Sequence, residues 1–320
     1  MADLAVLGEL LIDFTEAGHS PEGKRLFEQN AGGAPANVAV AVSRLGISAA
    51  FVGKVGRDMH GDFLRETLEK NGIDTRGLVS DDKAFTTLAF VSIDSEGDRK
   101  FAFGRKPGAD MFLKKEELNH DVLENCRILG IGSLSMTDEP ARSATLEAIK
   151  IAHTHGARIA YDPNYRAQLW SGDIEARKYM RKLARYADYI KLSDDEIEMV
   201  TGFTEPEEAA DLLLSKGAKV VVVTMGKNGA LLAVPGKKKR ISAINKYKIV
   251  DTTGAGDSFW GAFLYKLLLE DDMDVVTFDQ LCENTEFASA AAIYCCMHRG
   301  ALESMPTGED VERILQAEKQ

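Results

Sequence analysis

The stretch DTTGAGDSFWGAF, residues 251–263, joins a glycine-rich turn to the start of a buried helix. Apolar residues follow Asp257 at i, i+1, i+4 and i+5 spacings, which predicts a helix with a strongly buried face. The turn therefore lies at a helix N-terminus, where we expect the backbone N–H groups of Ala255, Gly256 and Asp257 to lack intrahelical partners. The positive end of the helix dipole adds to them, so the turn predicts an anion-binding site that needs no lysine.

Asp257 places a carboxylate directly beside this predicted anion site. In phosphoryl transfer the acceptor hydroxyl loses a proton as it attacks. A carboxylate in this position can accept that proton while the amides bind the transferred group. We expect the helix dipole to keep Asp257 ionised, and therefore a weak base. The alternative is a glycine turn that only allows a helix to pack closely.

The rest of the chain predicts an α/β fold. From about residue 115 strands and helices alternate, and the continuous apolar run in AKVVVVTMG (218–226) is typical of a parallel strand covered on both faces. We therefore expect a doubly wound, mostly parallel sheet flanked by helices. A small antiparallel sheet would form a lid, with strands at about 11–35 and 84–110. We expect residues 1–320 to form a single domain.

Four polar residues fall where predicted parallel strands end: Asp13, Asp162, Ser193 and Thr224. Asp13 would end a first buried strand that begins at LAVLGELLIDF (4–14). Ligands of open α/β sheets bind beyond the carboxyl ends of the strands, so these residues predict one shared edge.

Composition limits the partners. The net charge is −11 and the pI is about 5.2, which disfavours nucleic acid. No apolar run approaches membrane-spanning length, and the N-terminal stretch has no basic leader. The four cysteines form no disulfide or zinc pattern, which is typical of a reducing compartment. We therefore expect a cytoplasmic protein. Neither a P-loop nor a dinucleotide fingerprint occurs, which argues against the main competing nucleotide motifs.

Two segments carry a family resemblance. AGGAPANVAVAVSRLG (31–46) and DTTGAGDSFWGA (251–262) resemble the two signatures of the ribokinase-like PfkB family of carbohydrate kinases. The order of elements between them also agrees, so the resemblance covers nearly the whole chain. It implies a ribokinase-like fold and ATP-dependent phosphorylation of a sugar hydroxyl.

The resemblance also implies residue roles. Asp257 would be the catalytic base. The anion hole would be formed by Gly254, Ala255 and Gly256, sugar hydroxyls would be bound by Asp13, Gly33 and Asn37, and ATP would lie along Thr224, Gly226 and Gly229.

Metal sites follow from the same resemblance. Family members carry an Asn-x-x-Glu motif that organises Mg²⁺ and its waters, and SDDE (193–196) stands in its place here. Glu196 would act on Mg²⁺ through water, while Ser193 replaces the asparagine next to the nucleotide. A K⁺ ion would be bound by residues at four matching positions: Asp251, Thr253, Gly300 and Ser304.

Two further segments, FAFGRKPGAD (101–110) and DPNYRAQLW (162–170), resemble segments of fructokinases. Arg105 and Arg166 would then reach toward the sugar or its phosphate, with D-fructose as the acceptor. The alternative within the family is 2-keto-3-deoxygluconate kinase, because arginines also suit a sugar acid. A catalytically silent regulatory member and a dehydrogenase are the other classes considered. Relatives dimerise through such lids, which implies a homodimer.

Overall fold

A computed structural model of the chain describes residues 2–93 and 99–318. The strands in this part of the chain are β1 (Leu4–Leu7), β2 (Leu11–His19), β3 (Arg25–Gly32), β4 (Ala49–Gly56), β5 (Ile73–Asp81), β6 (Leu88–Ile93), β7 (Arg99–Gly104), β8 (Ile128–Ile131), β9 (Arg158–Tyr161), β10 (Tyr189–Ser193), β11 (Val220–Thr224), β12 (Ala230–Val234) and β13 (Lys237–Ile241). The helices are α1 (Ala34–Leu45), α2 (Met59–Lys70), α3 (His120–Glu124), α4 (Ala141–Thr154), α5 (Asp173–Leu183), α6 (Ile197–Thr201), α7 (Pro206–Ser215), α8 (Ala255–Leu268), α9 (Phe278–Cys296) and α10 (Gly308–Glu318).

The main sheet has nine strands in the order β13-β12-β11-β10-β9-β8-β1-β4-β5. Every pairing from β11 to β5 is parallel, and β12 and β13 add an antiparallel edge. The predicted doubly wound, mostly parallel fold is therefore confirmed.

Helices cover both faces of this sheet because its strands are apolar on both sides. In β1, Leu4 and Val6 join one buried cluster, which includes residues of α1, α8 and α9. Ala5 and Leu7 join a second cluster on the other face, which includes residues of α4 and α5. Successive side chains of a strand point to opposite faces, so this alternation produces the three-layer arrangement.

The prediction that the first strand ends at Asp13 is wrong. β1 stops at Leu7 in the centre of the main sheet, and β2 begins at Leu11 in a different sheet. Asp13 therefore lies within a lid strand, where it pairs with Asn30 of β3, and not at the end of a parallel strand.

The other three residues of the predicted edge are placed as expected. Asp162 follows β9, while Ser193 and Thr224 end β10 and β11 and stand beside each other in the parallel register. The carboxyl ends of these strands form the edge on which the candidate site is built.

The lid is a separate four-stranded sheet with the order β3-β2-β6-β7. β6 and β7 are antiparallel, as predicted, but β2 and β6 pair in parallel, so the lid is a mixed sheet rather than an antiparallel one. The predicted turn SEGD (95–98) between β6 and β7 lies outside the described residues. Within the described ranges, no helix has both the length and the apolar character to span a bilayer.

Candidate active site

The glycine corner before α8 forms as the sequence predicts. Gly254 has φ 78°, in the left-handed region, and is the N-cap residue that precedes α8. A Cβ at this position would lie 3.0 Å from the Cα of Ala301 and 3.1 Å from the Cε of Met305. The backbone conformation therefore favours glycine, and the neighbouring atoms leave little room for a Cβ.

Two amides of this corner, and not the predicted three, lack a hydrogen-bond acceptor. The N–H of Ala255 donates to the carbonyl of Thr252 at 3.2 Å, so it already has a partner. The N–H groups of Gly256 and Asp257 have no protein acceptor among the described residues. No side chain caps α8, and these two amides therefore carry the anion-binding capacity of its N-terminus.

Two cavities meet at the first turn of α8. One, of about 430 Å³, contains Thr252, Ala255 and Gly256 in its wall. The other, of about 360 Å³, also contains Thr252 and Gly256, together with Asp257. The anion-binding amides therefore stand between two separate binding spaces, as a group transfer between two ligands requires.

The second cavity is lined by five charged side chains and two amides as well as apolar ones, and we call it the polar cavity. It brings together most of the predicted sugar-binding and catalytic residues, from the lid, from α1, from the loop after β9 and from the start of α8: Asp13, Gly33, Asn37, Arg166, Gly254, Gly256 and Asp257. Arg166 is exposed at its rim, where its guanidinium donates to the carbonyl of Tyr165 at 2.9 Å.

Asn37 and Asp257 contact each other directly. The side-chain amide of Asn37 donates to Asp257 Oδ2 at 2.8 Å, which fixes the orientation of the carboxylate. Burial raises the pKa of Asp257, although Asn37, Lys191 and Arg166 act in the opposite direction. This direction is opposite to the one expected from the helix dipole, which would make Asp257 a weak base, because desolvation has the largest effect.

Arg105 does not line the polar cavity, contrary to its predicted sugar contact. It is 1% exposed, and its guanidinium donates to Asp110 Oδ2 at 2.8 Å, Thr137 Oγ1 at 3.1 Å and the carbonyl of Leu134 at 2.9 Å. These contacts tie the base of the lid to the loop after β8. Its donors are therefore engaged by the protein itself.

The first cavity is mostly apolar, and we call it the apolar cavity. Thr224, Gly226 and Gly229, the predicted nucleotide residues, line it at the carboxyl end of β11. Its other wall carries larger apolar side chains: Ile244, Tyr247, Ile249, Phe259 and Ile293. A flat, apolar ring system fits such a wall, and a charged group attached to the ring would then lie toward α8.

Ser193 and Glu196 form a local turn instead of a cavity wall. Glu196 is buried, and its two carboxylate oxygens accept the N–H of Tyr165 at 2.7 Å and that of Ser193 at 2.9 Å. Neither residue lines the apolar or the polar cavity. Ser193 therefore lies outside the cavity wall that contains Thr224, Gly226 and Gly229, and its amide binds the carboxylate of Glu196.

A third cavity, of about 170 Å³, brings together three of the four predicted K⁺ residues: Asp251, Thr253 and Gly300. Asp251 accepts the N–H of Thr253 at 2.7 Å and that of Gly300 at 3.2 Å. The fourth, Ser304, lies behind them and donates to the carbonyl of Gly300 at 2.8 Å. Within the described residues, the buried hydroxyl of Thr253 has no hydrogen-bond partner.

Two charged residues of the polar cavity were not among the site residues predicted from the sequence. Lys191 and Glu9 both line it, and both are buried. Each carried a signal, because each is an isolated charge within an apolar stretch: YIKLS (189–193) and VLGELLI (6–12). A charged residue in a predicted buried strand or loop requires a partner or a ligand.

Comparison with known proteins extends the geometry. The protein-family model described as "pfkB family carbohydrate kinase" matches residues 1–308 of the chain. The chain is 42% identical over 306 residues to a probable fructokinase-2 of Arabidopsis thaliana, covering 94% of this chain and 92% of the relative. It is 40% identical over 314 residues to fructokinase-1 of Zea mays, covering 97% and 96%.

Solved structures agree with this. A fructokinase from Xylella fastidiosa with bound ATP has a TM-score of 0.92 and 31% identity, with 100% of both chains covered. A fructokinase from Vibrio cholerae O395 in its fructose, ADP and calcium ion bound form has a TM-score of 0.89 and 31% identity, covering 98% of this chain and 99% of that one. The family prediction is confirmed, and the chain belongs to the PfkB family of carbohydrate kinases.

Proposed function

We propose that this enzyme transfers the γ-phosphoryl group of ATP to the 6-hydroxyl of D-fructose. The observation that carries the proposal is the first turn of α8, whose amides stand between a polar and an apolar cavity, with Asp257 on the polar side. The names of the relatives support fructose as the acceptor, and so does the Vibrio cholerae structure with fructose and ADP.

The polar cavity would bind the sugar. Asp13, Asn37 and Arg166 supply a carboxylate, an amide and a guanidinium, which suit a ring of hydroxyl groups. The buried Oδ1 of Asn37 has no partner among the described residues, although its amide nitrogen is engaged by Asp257. A sugar hydroxyl that donates to this oxygen would satisfy it and would lie beside the carboxylate of Asp257.

The apolar cavity would bind ATP. The ring-sized apolar wall suits adenine, while Thr224, Gly226 and Gly229 would follow the ribose and phosphates. The terminal phosphate would then lie at the N-terminus of α8. Among the described residues, the amides of Gly256 and Asp257 are the ones that lack an acceptor there.

The chemistry follows from this arrangement. The acceptor oxygen attacks phosphorus as the bond to the leaving ADP breaks, and its proton moves to Asp257. A raised pKa makes Asp257 a better base for this step, provided that it is ionised at the working pH. The amides stabilise the charge on the transferred group without reorganisation.

Mg²⁺ fits this site only as a companion of the phosphates. The described part of the chain has no group of three His, Cys, Asp or Glu side chains that could hold a metal ion. The oxygens of Glu196 already accept two backbone N–H groups, so its contact with Mg²⁺ would run through water. When bound, the ion would neutralise phosphate charge.

A K⁺ ion fits the third cavity better. The unpartnered hydroxyl of Thr253, the carboxylate of Asp251 and the carbonyl of Gly300 are oxygen donors of the kind that a hard monovalent cation takes. Bound there, K⁺ would add positive charge beside Thr253, which directly precedes Gly254.

We also propose a homodimer formed through the lid in a cytoplasmic enzyme. The outer face of the lid exposes an aromatic cluster in which Phe90 stacks on Phe14 at 5.2 Å and meets Phe27 edge-on at 5.9 Å. Phe27 is 37% and Phe90 40% exposed, and a second copy would cover such a patch. The cysteines are free and buried, which fits a reducing compartment.

The test is a coupled ADP assay with a panel of fructose, 2-keto-3-deoxygluconate, ribose and adenosine. We expect the highest kcat/KM with fructose and a product phosphorylated at C6 by ³¹P and ¹H NMR. Asp257→Asn should lower kcat by about 10²–10⁴-fold with the fold intact. A higher kcat/KM for the sugar acid would transfer the assignment to 2-keto-3-deoxygluconate, and near-normal turnover of the variant would remove Asp257 as the base.

A further inference from the structure

Lys191 is a buried cation that lies in the polar cavity, against the first turn of α8. It lies in β10, is 6% exposed, and lines the polar cavity. Its ammonium donates to Asp162 Oδ2 at 2.6 Å. Because burying an ammonium is costly, a lysine retained in the middle of a parallel sheet requires an explanation.

The ammonium has more donors than its protein partner uses. An ammonium carries three N–H donors, and Asp162 is the one acceptor that the described residues offer it. A Cβ built on Gly256 would lie 3.0 Å from the Nζ of Lys191. The ammonium therefore lies against the first turn of α8, beside the two amides that lack acceptors.

Lys54 provides an internal comparison. It too is a buried lysine of the main sheet, in β4, and is 3% exposed. Its ammonium contacts Asp81 at 2.9 Å, Glu117 at 2.7 Å and the carbonyl of Phe112 at 3.2 Å, so its donors are all engaged by protein. Lys54 is therefore explained by structure alone, whereas Lys191 has donors left that face a cavity.

The surrounding charge favours an anionic ligand at this point. Burial disfavours the charged form of Lys191, yet the carboxylates of Asp162, Glu196 and Asp257 outweigh it and raise the pKa of the lysine. A fixed positive charge therefore stands next to unpaired amides, and the two together attract a phosphate oxygen more strongly than the amides alone.

We propose that Lys191 is a catalytic residue whose ammonium binds an oxygen of the phosphoryl group during transfer, and that Asp162 is the positioning residue that holds it. The inference rests on the proposed kinase reaction. The phosphorus–oxygen bond to ADP breaks, the bond to the sugar oxygen forms, and the sugar proton goes to Asp257. Lys191 keeps its proton throughout and stabilises charge that is largest in the transition state.

The test compares Lys191→Met, the double variant Lys191→Met/Asp162→Asn, and Lys54→Met as the matched control. Two quantities are measured in each: kcat for the sugar, and the Kd of ADP with aluminium fluoride, Mg²⁺ and sugar, which mimics the transition state. The Kd of ATP alone reports ground-state binding. Thermal melting reports the stability of each variant.

We expect both Lys191 variants to lose about 10²–10³-fold in kcat and a similar factor in affinity for the mimic, since they lose one transition-state donor. Their Kd for ATP should change by a few-fold. Lys54→Met should melt at a lower temperature but keep kcat within about threefold, since no cavity residue is lost.

Three results would overturn the proposal. One is near-normal kcat in Lys191→Met. Another is recovery of kcat in the double variant, which would mean that the lysine only neutralises Asp162. The third is an equal loss of affinity for ATP and for the mimic. Failure of the kinase proposal itself is distinguishable, because the wild-type protein would then form no ADP with any sugar.

Discussion

Replacement of Glu9 by glutamine should stabilise the protein at pH 8 and leave its stability little changed at pH 5. Glu9 is 4% exposed, lines the polar cavity, and accepts the N–H of Ala34 at 3.2 Å. Burial raises its pKa to about 7, although its own backbone N–H and the guanidinium of Arg105 act in the opposite direction. Glutamine keeps the acceptor oxygen and the size but removes the charge.

The magnitude follows from the two pKa values. The folded value of about 7 exceeds the ordinary value of 4.5 by roughly 2.5, which corresponds to about 3 kcal/mol. Between these values the folded state holds a proton that the unfolded state has released. The stabilising contribution of the protonated group is therefore complete below about pH 4.5 and is lost as the pH rises through about 7.

The assay is thermal and urea unfolding of the wild-type protein and Glu9→Gln at pH 8 and pH 5. For a chain of 320 residues, 3 kcal/mol corresponds to a melting-temperature difference of about 4 °C at pH 8. Most of that difference should disappear at pH 5. Glu312→Gln, on the exposed side of α10, is the matched surface control. A Glu9→Gln effect of the same size at both pH values, or one that grows toward pH 5, would refute the burial of an uncompensated carboxyl.

Three further predictions concern the site and the assembly. Asn37→Ala removes a hydrogen bond that lowers the pKa of Asp257, so kcat should begin to fall at a higher pH on acidification than in the wild-type enzyme; an unchanged pH profile would show that Asn37 does not act on the carboxylate of Asp257. Gly229→Ala would force a left-handed φ of 87° and overlap with the carbonyl of Ile241, so unfolding should become easier by about 1–3 kcal/mol and the KM for ATP should rise; melting curves and ATP titration measure both, and unaltered values would contradict the strain. Phe27→Asp should shift the sedimentation coefficient from dimer to monomer if the lid is the interface, whereas an unshifted dimer would place the interface elsewhere.

The local features of the site could be predicted because their signals are local. Gly254 and the apolar stripe of α8 lie within a few residues of one another, and a glycine corner before such a stripe has few conformations available. The strand ends at Ser193 and Thr224 were equally accessible, since a polar residue closes a continuous apolar run.

The misplaced residues depend on contacts between distant parts of the chain. The apolar run of residues 4–14 continues through the break between β1 and β2, so periodicity alone could not show that the chain leaves one sheet for another. The family resemblance predicted that Arg105 contacts the sugar, but its partners Asp110 and Thr137 come from two separate loops. Desolvation of Asp257 likewise depends on elements far apart in the sequence.

The two sheets divide the site between them. The glycine corner and Lys191 belong to the main α/β body, whereas Asp13 and Phe103 reach the polar cavity from strands of the smaller sheet. Under the proposed function, substitutions in the smaller sheet would change which acceptor alcohol fits the polar cavity, whereas substitutions that weaken phosphate binding would fall in the α/β body. A scaffold so divided is well suited to diversification, and laboratory retargeting to new acceptors should begin with the cavity-facing positions of β2 and β7.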